Sequence, residues 1–231
     1  MKKYQHVFFD LDHTLWDYDT NVKESLSEIY MHYQLVDRGI HTIDLFLKAF
    51  YDINFQLWAM YDQGKVTKDE LREIRFKSIF EKAGADANGI PRDLEDDFMH
   101  RTSSKTHLLP YSKEILEYLK PNYRLHIITN GFNESQAKKM EASGLSPYFD
   151  LIVTSETTGH KKPDPRIFQY ALDTLSVKNS DVMMIGDNPN SDILGAINSQ
   201  IDNVYFDPHG KGIAHQPTHT IRHLKELESL L

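Results

Sequence analysis

The 231-residue chain contains no cysteine. That absence excludes disulfides, thiolate metal sites and a cysteine nucleophile, and it fits a reducing compartment. Long hydrophobic runs are also missing. Met1-Lys2-Lys3-Tyr4-Gln5-His6 leads into an apolar segment of only a few residues, far short of a signal-peptide core or a membrane span. The expectation is a cytoplasmic protein with no membrane partner. Positive charge is in deficit: 26 Lys plus Arg face 34 Asp plus Glu, for a net charge of -8. This argues against a generic binder of nucleic-acid backbones, although a small anion can still bind where a metal and a Lys focus positive potential. The 12 His are scattered without a His-Glu-x-x-His helix, which leaves a zinc hydrolase centre unsupported. No internal repeat, low-complexity tract or charge block occurs. The remainder, 40% hydrophobic and 26% charged, is ordinary globular composition, large enough for one domain or a domain with an insertion.

Downstream of residue 105 short apolar runs alternate with helical segments. The runs are Leu125-His126-Ile127-Ile128-Thr129, Leu151-Ile152-Val153-Thr154, Val182-Met183-Met184-Ile185-Gly186 and Val204-Tyr205-Phe206. The spacing predicts helices over Ser112 to Lys120, Glu134 to Ser143, Pro165 to Leu175 and Ser191 to Ser199. Short buried strands alternating with helices predict an α/β fold, a doubly wound, Rossmann-like parallel sheet covered on both faces. Between the first strand and residue 105 the texture changes. Leu45, Phe46, Ala49, Phe50, Ile53, Leu57 and Tyr61 form a helical stripe. Thr67-Lys68-Asp69-Glu70 reads as a capping box, followed by a buried side of Leu71, Ile74, Arg75, Phe76, Ile79 and Phe80 and a stop at Gly84. The expected organisation is a core of residues 1–17 and 105–231 with an all-helical domain, 18–104, inserted after the first strand.

The first strand, Val7-Phe8-Phe9, runs into Asp10-Leu11-Asp12-His13-Thr14. On extended chain, residues two apart share a face, so Asp10 and Asp12 can serve one site at a strand's carboxyl end, where open α/β sheets bind ligands. Such a pair is costly unless a cation neutralises it or one carboxylate keeps its proton; a polar turn is the plainer reading. Thr129-Asn130-Gly131 suits phosphate oxygens but is also a good turn. Lys162 stands on a Pro-x-Pro turn, which can aim it at an anion, though single lysines are mostly surface. Asp187 at a strand tip can complete an oxygen-rich site with Asp10 of the kind Mg²⁺ prefers, while Asp192 reads equally as a helix cap.

Taken together, in this order and on these elements, the four segments resemble the haloacid dehalogenase superfamily across essentially the whole chain. The resemblance implies that Asp10 is the nucleophile and Asp12 the general acid and base. Thr129, Asn130, Gly131 and Lys162 would contact the substrate phosphate. Asp10, Asp187 and the Asp12 carbonyl would bind Mg²⁺, with Asp192 in support, and the inserted helices would form a cap. Members that cleave carbon-halogen bonds lack an acid at the position of Asp12, so the resemblance implies phosphate chemistry. Asp10-Leu11-Asp12-His13-Thr14-Leu15-Trp16-Asp17-Tyr18-Asp19-Thr20-Asn21, with Thr129-Asn130-Gly131-Phe132 and Gly64-Lys65-Val66-Thr67, looks most like the bacterial pyrimidine 5′-nucleotidases.

The activity so implied is hydrolysis of a phosphomonoester through an aspartyl-phosphate. Its substrate would be small and phosphorylated, a (deoxy)pyrimidine nucleoside monophosphate rather than a nucleic-acid polymer. A sugar-phosphate phosphatase, a phosphomutase and a non-catalytic phospho-acceptor remain as rivals, and a homodimer is possible. The segments 17–21 and 101–109 are candidate hinges. Trp16 and Tyr18 are candidates to stack a base, whereas Phe55, Trp58 and Tyr61 are expected to pack among the inserted helices themselves.

Overall fold

The computed structural model describes residues 4–212 and 214–231. Residues 1–3, which open the approach to the first strand, lie outside the described residues. In chain order the principal elements begin with β1 (His6–Phe9), α1 (Tyr18–His32), α2 (Ile43–Asp62), α3 (Lys68–Lys82) and α4 (Leu94–Ser103). There follow α5 (Ser112–Leu119), β2 (Arg124–Thr129), α6 (Asn133–Ala142), β3 (Leu151–Thr154), α7 (Ser155–Thr158) and α8 (Pro165–Leu175). The chain closes with β4 (Val182–Gly186), α9 (Leu194–Asn198), β5 (Asp202–Phe206) and β6 (His219–Ile221).

Among the described residues the strands form one parallel sheet in the order β3-β2-β1-β4-β5-β6. Val7, Phe8 and Phe9 are fully buried because β1 is central and covered on both faces. Val7 and Phe9 pack with Ile115 and Leu116 of α5 and Met140 of α6. Phe8 faces the other layer, with Ile167 and Phe168 of α8 and Ala196 of α9. This is the expected doubly wound α/β fold. The chain reverses direction across the sheet between β1 and β4, and that switch point lies beside the carboxyl ends that carry Asp10 and Asp187.

The chain divides into two compact units, Met1–Tyr18 with Thr106–Leu231, and Asp19–Lys105. The division falls one residue beyond each expected boundary. The second unit is helical. Phe46, Phe50, Phe76 and Phe98 form its aromatic centre, the Phe50 and Phe98 rings being 5.0 Å apart. The capping box is present: the Glu70 amide donates to Thr67 Oγ1 at 3.2 Å and the Thr67 amide to Glu70 Oε2 at 2.8 Å. Gly84 follows α3 in a left-handed conformation, φ 77°, as a helix stop requires.

The fold departs from the sequence reading in several places. Leu57 and Tyr61 are buried as expected, but Phe55 is 77% exposed and does not join the packing of its unit. Trp16, expected as a base-stacking candidate, is instead fully buried in the core of the first unit. The helix anticipated over Ser191 to Ser199 is two pieces, a π-type turn at Pro189–Ile193 and then α9. No helix among the described residues is long and apolar enough to cross a membrane.

Candidate active site

Strand β1 ends at Phe9, and Asp10 continues its pairing by donating its amide to the Ile185 carbonyl at 2.9 Å. Its carboxylate, 11% exposed, meets the ammonium of Lys162 at 2.6 Å. Lys162 Nζ lies equally close, 2.6 Å, to Asp192 Oδ1 and donates to the Ile128 carbonyl at 2.7 Å. An ammonium carries three hydrogens, so all three are matched by protein acceptors, and Lys162 orients Asp10 while placing a positive charge under it. Burial disfavours that charge, but Asp10 and Asp192 more than compensate and hold the ammonium protonated well above the usual lysine range.

Asn130 fixes the backbone from which Lys162 projects. Its side-chain oxygen accepts from the Lys162 amide at 2.8 Å and its side-chain nitrogen donates to the Lys162 carbonyl at 3.0 Å. The amide expected at the substrate phosphate is thus engaged at both ends with Lys162. Asp192 is not the helix cap. Asn188 takes that role, its side chain accepting from the amides of Asn190 and Ser191. Asp192 Oδ2 accepts from the Asn188 amide at 2.9 Å, which leaves Oδ1 for Lys162. Gly186 makes room for this carboxylate, because a Cβ there would stand 2.3 Å from Asp192 Oδ2.

Asp187, at the tip of β4, accepts from the Thr14 hydroxyl at 3.1 Å. One oxygen each from Asp10, Asp187 and Asp192 lies within 4.8 Å of the others. Three carboxylates, Asp10 and Asp192 buried and Asp187 half-buried, against one ammonium leave an excess of negative charge. Burial raises the Asp10 carboxyl to about 7 despite Lys162, and burial together with the charges of Asp192 and Asp10 pushes Asp187 well above its ordinary value. An all-oxygen donor set with this excess suits a hard divalent cation such as Mg²⁺. The residues present therefore fit the ion, with Asp10 and Asp187 as carboxylate ligands.

Asp12 is separate from that cluster. Because β1 ends at Phe9, the period-two rule does not carry through to Asp12, and its carboxylate turns towards α6. Lys139 Nζ lies 2.6 Å from Oδ1, and Gln136 Nε2 donates to Oδ2 at 2.9 Å. Burial pushes the Asp12 carboxyl up, but the Lys139 charge and these hydrogen bonds outweigh it and hold the group below the usual range. Gln136 Nε2 also donates to Thr129 Oγ1 at 2.8 Å, and the Gly131 amide does so at 3.1 Å. A hydroxyl has two lone pairs and one hydrogen. Both lone pairs of Thr129 are thereby taken, leaving its hydrogen to donate to an anion.

The four segments singled out in the sequence do converge on the carboxyl ends of β1, β2 and β4 and the turn before α8. Sequence reasoning missed Gln136, Lys139, Thr14 and Asn188. The signal for the first pair was their spacing of three on the helix after Thr129-Asn130-Gly131, which puts both on one face.

The family described as haloacid dehalogenase-like hydrolase matches residues 4–200. Pyrimidine 5'-nucleotidase YjjG of Escherichia coli (strain K12) is 34% identical over 99% of this chain and 98% of its own. Pyrimidine 5'-nucleotidase PynA of Streptococcus pneumoniae is 28% identical over 89% of this chain and 85% of its own. The magnesium-bound structure of the HAD-hydrolase YfnB from Bacillus subtilis, in a form that reveals interdomain movement, superposes with a TM-score of 0.87 at 29% identity, covering 99% of both chains.

Proposed function

The chain belongs to the haloacid dehalogenase-like hydrolases and is an enzyme of their phosphatase type, and we propose that it is a Mg²⁺-dependent 5′-nucleotidase acting on pyrimidine nucleoside monophosphates. The observation that carries the chemistry is the Asp10–Lys162–Asp192 arrangement beside Asp187, with a second acid, Asp12, outside it. The substrate class is supported by the two pyrimidine nucleotidases to which the chain is similar.

In this reading Lys162 holds Asp10 Oδ1 and directs the other oxygen, Oδ2, at phosphorus. The Oδ2–phosphorus bond forms as the bond to the ester oxygen breaks, and Asp12, ionised in the free enzyme beside Lys139, takes up the proton of the monoanionic phosphate ester and passes it to that oxygen. The Thr129 hydroxyl and the Lys162 charge steady the phosphoryl oxygens. Asp12, now ionised, takes a proton from water, whose oxygen attacks phosphorus and frees Asp10 and inorganic phosphate. Bound between Asp10 and Asp187, Mg²⁺ would supply charge neutralisation at the phosphoryl group.

Phosphate release from nucleoside monophosphates, sugar phosphates and an aryl phosphate, each with Mg²⁺ and with chelator, tests the reading. The expected result is Mg²⁺-dependent release led by UMP, dUMP or dTMP, abolished in Asp10→Asn with substrate binding retained. Preference for sugar phosphates would move the assignment to another phosphatase class. Near-normal turnover by Asp10→Asn would remove the nucleophile.

A further inference from the structure

The residues that contact Asp12 have no role in the bond-making and bond-breaking steps themselves. Gln136 and Lys139 project from one face of α6, and their side chains are buried. A single nitrogen, Gln136 Nε2, spans Asp12 Oδ2 at 2.9 Å and Thr129 Oγ1 at 2.8 Å, so its two hydrogens tie the acid to the residue expected to clamp the phosphate. Reversing the amide would put its oxygen against the Asp12 carboxylate. The orientation present leaves Gln136 Oε1 buried without a partner among the described residues, so packing alone would not select it. On the other carboxylate oxygen, Lys139 completes a layered stack, its ammonium 2.6 Å from Asp12 and 4.4 Å from the centre of the fully buried Trp16 ring. The aromatic face holds the cation from behind and the acid meets it in front.

We propose that Gln136 and Lys139 are positioning residues that set the placement of Asp12 relative to a phosphate on Thr129, and so decide how well the leaving oxygen is protonated. The inference rests on the phosphatase reading above and concerns only its proton-transfer geometry. A nucleoside 5′-alkoxide leaves poorly without a proton, whereas 2,4-dinitrophenolate leaves well without one. Misplacing Asp12 therefore penalises the two substrates unequally, which a general loosening of the site does not.

The test compares kcat/KM for a nucleoside monophosphate and for 2,4-dinitrophenyl phosphate in the full-length enzyme with Mg²⁺, because this ratio reports the steps through P–O cleavage. For Lys139→Met and Gln136→Met the nucleotide should lose roughly ten- to hundredfold more than the activated ester, out of the 10²–10⁴ that general acid catalysis supplies. Combined with Asp12→Asn, neither change should add its full single-variant loss, since both act through Asp12. Turnover of the activated ester reports that each variant is folded. Equal losses on both substrates, or no loss on either, overturn the proposal and leave the phosphatase assignment standing. Absence of phosphate release by the wild-type enzyme from every ester would instead overturn the assignment on which it rests.

Discussion

Lys162 Nζ lies 2.6 Å from Asp192 Oδ1, with only 2% and 1% of the two side chains exposed. Burying an ion pair costs desolvation that the pair's attraction only just offsets, but removing one member leaves the other charged and alone. Lys162→Met would strand Asp192 and Asp10 together. The expected cost is about 3–5 kcal/mol in chelator, measured by urea unfolding, with loss of phosphatase turnover. A loss below about 1 kcal/mol would mean that the carboxylates find another counter-charge.

Gly131 has no left-handed strain to explain it; its requirement is space. A Cβ there would stand 2.2 Å from Gln136 Nε2 and 2.5 Å from its Cδ. Gly131→Ala must push Gln136 away, breaking its bonds to Asp12 and Thr129 together. Turnover of a nucleoside monophosphate should fall roughly tenfold or more, as expected when acid-base geometry is disturbed. Gly89→Ala, which meets nothing within 4 Å, should stay within about 0.5 kcal/mol of wild type in stability. Comparable activity losses in both variants would count against the steric account.

The central strands were legible because burial on both faces makes their residues continuously apolar. β6 was not, since His219, Thr220 and Ile221 at the sheet edge include one apolar residue and Ile221 alone is buried. Asp10 and Asp187 could be placed from strand tips alone. The direction of Asp12 could not, because it depends on where β1 stops and on two residues over a hundred positions away. Asp192 carried a real ambiguity between cap and site. The neighbouring Asn188 resolves it, and only hydrogen-bond geometry shows which of the two side chains takes the cap. Trp16 misled because large aromatics near a site suggest stacking, whereas here the ring supports a buried lysine.

Excess negative charge around Asp187 predicts that stability rises when a divalent cation is present. A ligand that binds only the folded state stabilises it by RT ln(1 + [L]/Kd), about 3 kcal/mol at a hundredfold excess over Kd. Wild-type protein should therefore unfold at higher urea concentration in Mg²⁺ than in chelator, and Asp187→Asn should lose most of that difference. Identical unfolding curves for the wild type in the two conditions would argue against an ion at this cluster.

At the other end of the strands His126 is fully buried, stacked on His6 at 5.2 Å, with His6 Nδ1 3.0 Å from its Nε2. Its Nδ1 finds no partner among the described residues. Burial, with the neighbouring His6 charge, lowers its pKa from 6.5 to about 4. The unfolded chain therefore binds a proton near pH 6.5 that the folded chain refuses until about pH 4, so stability falls as pH drops through that window and levels off below it. Between about pH 7 and pH 5 this one group should cost about 2 kcal/mol. His126→Leu removes the titration, and its stability relative to wild type should improve by that amount over the same interval. Parallel pH profiles for the two proteins would show that the histidine pair accepts its proton without unfolding pressure.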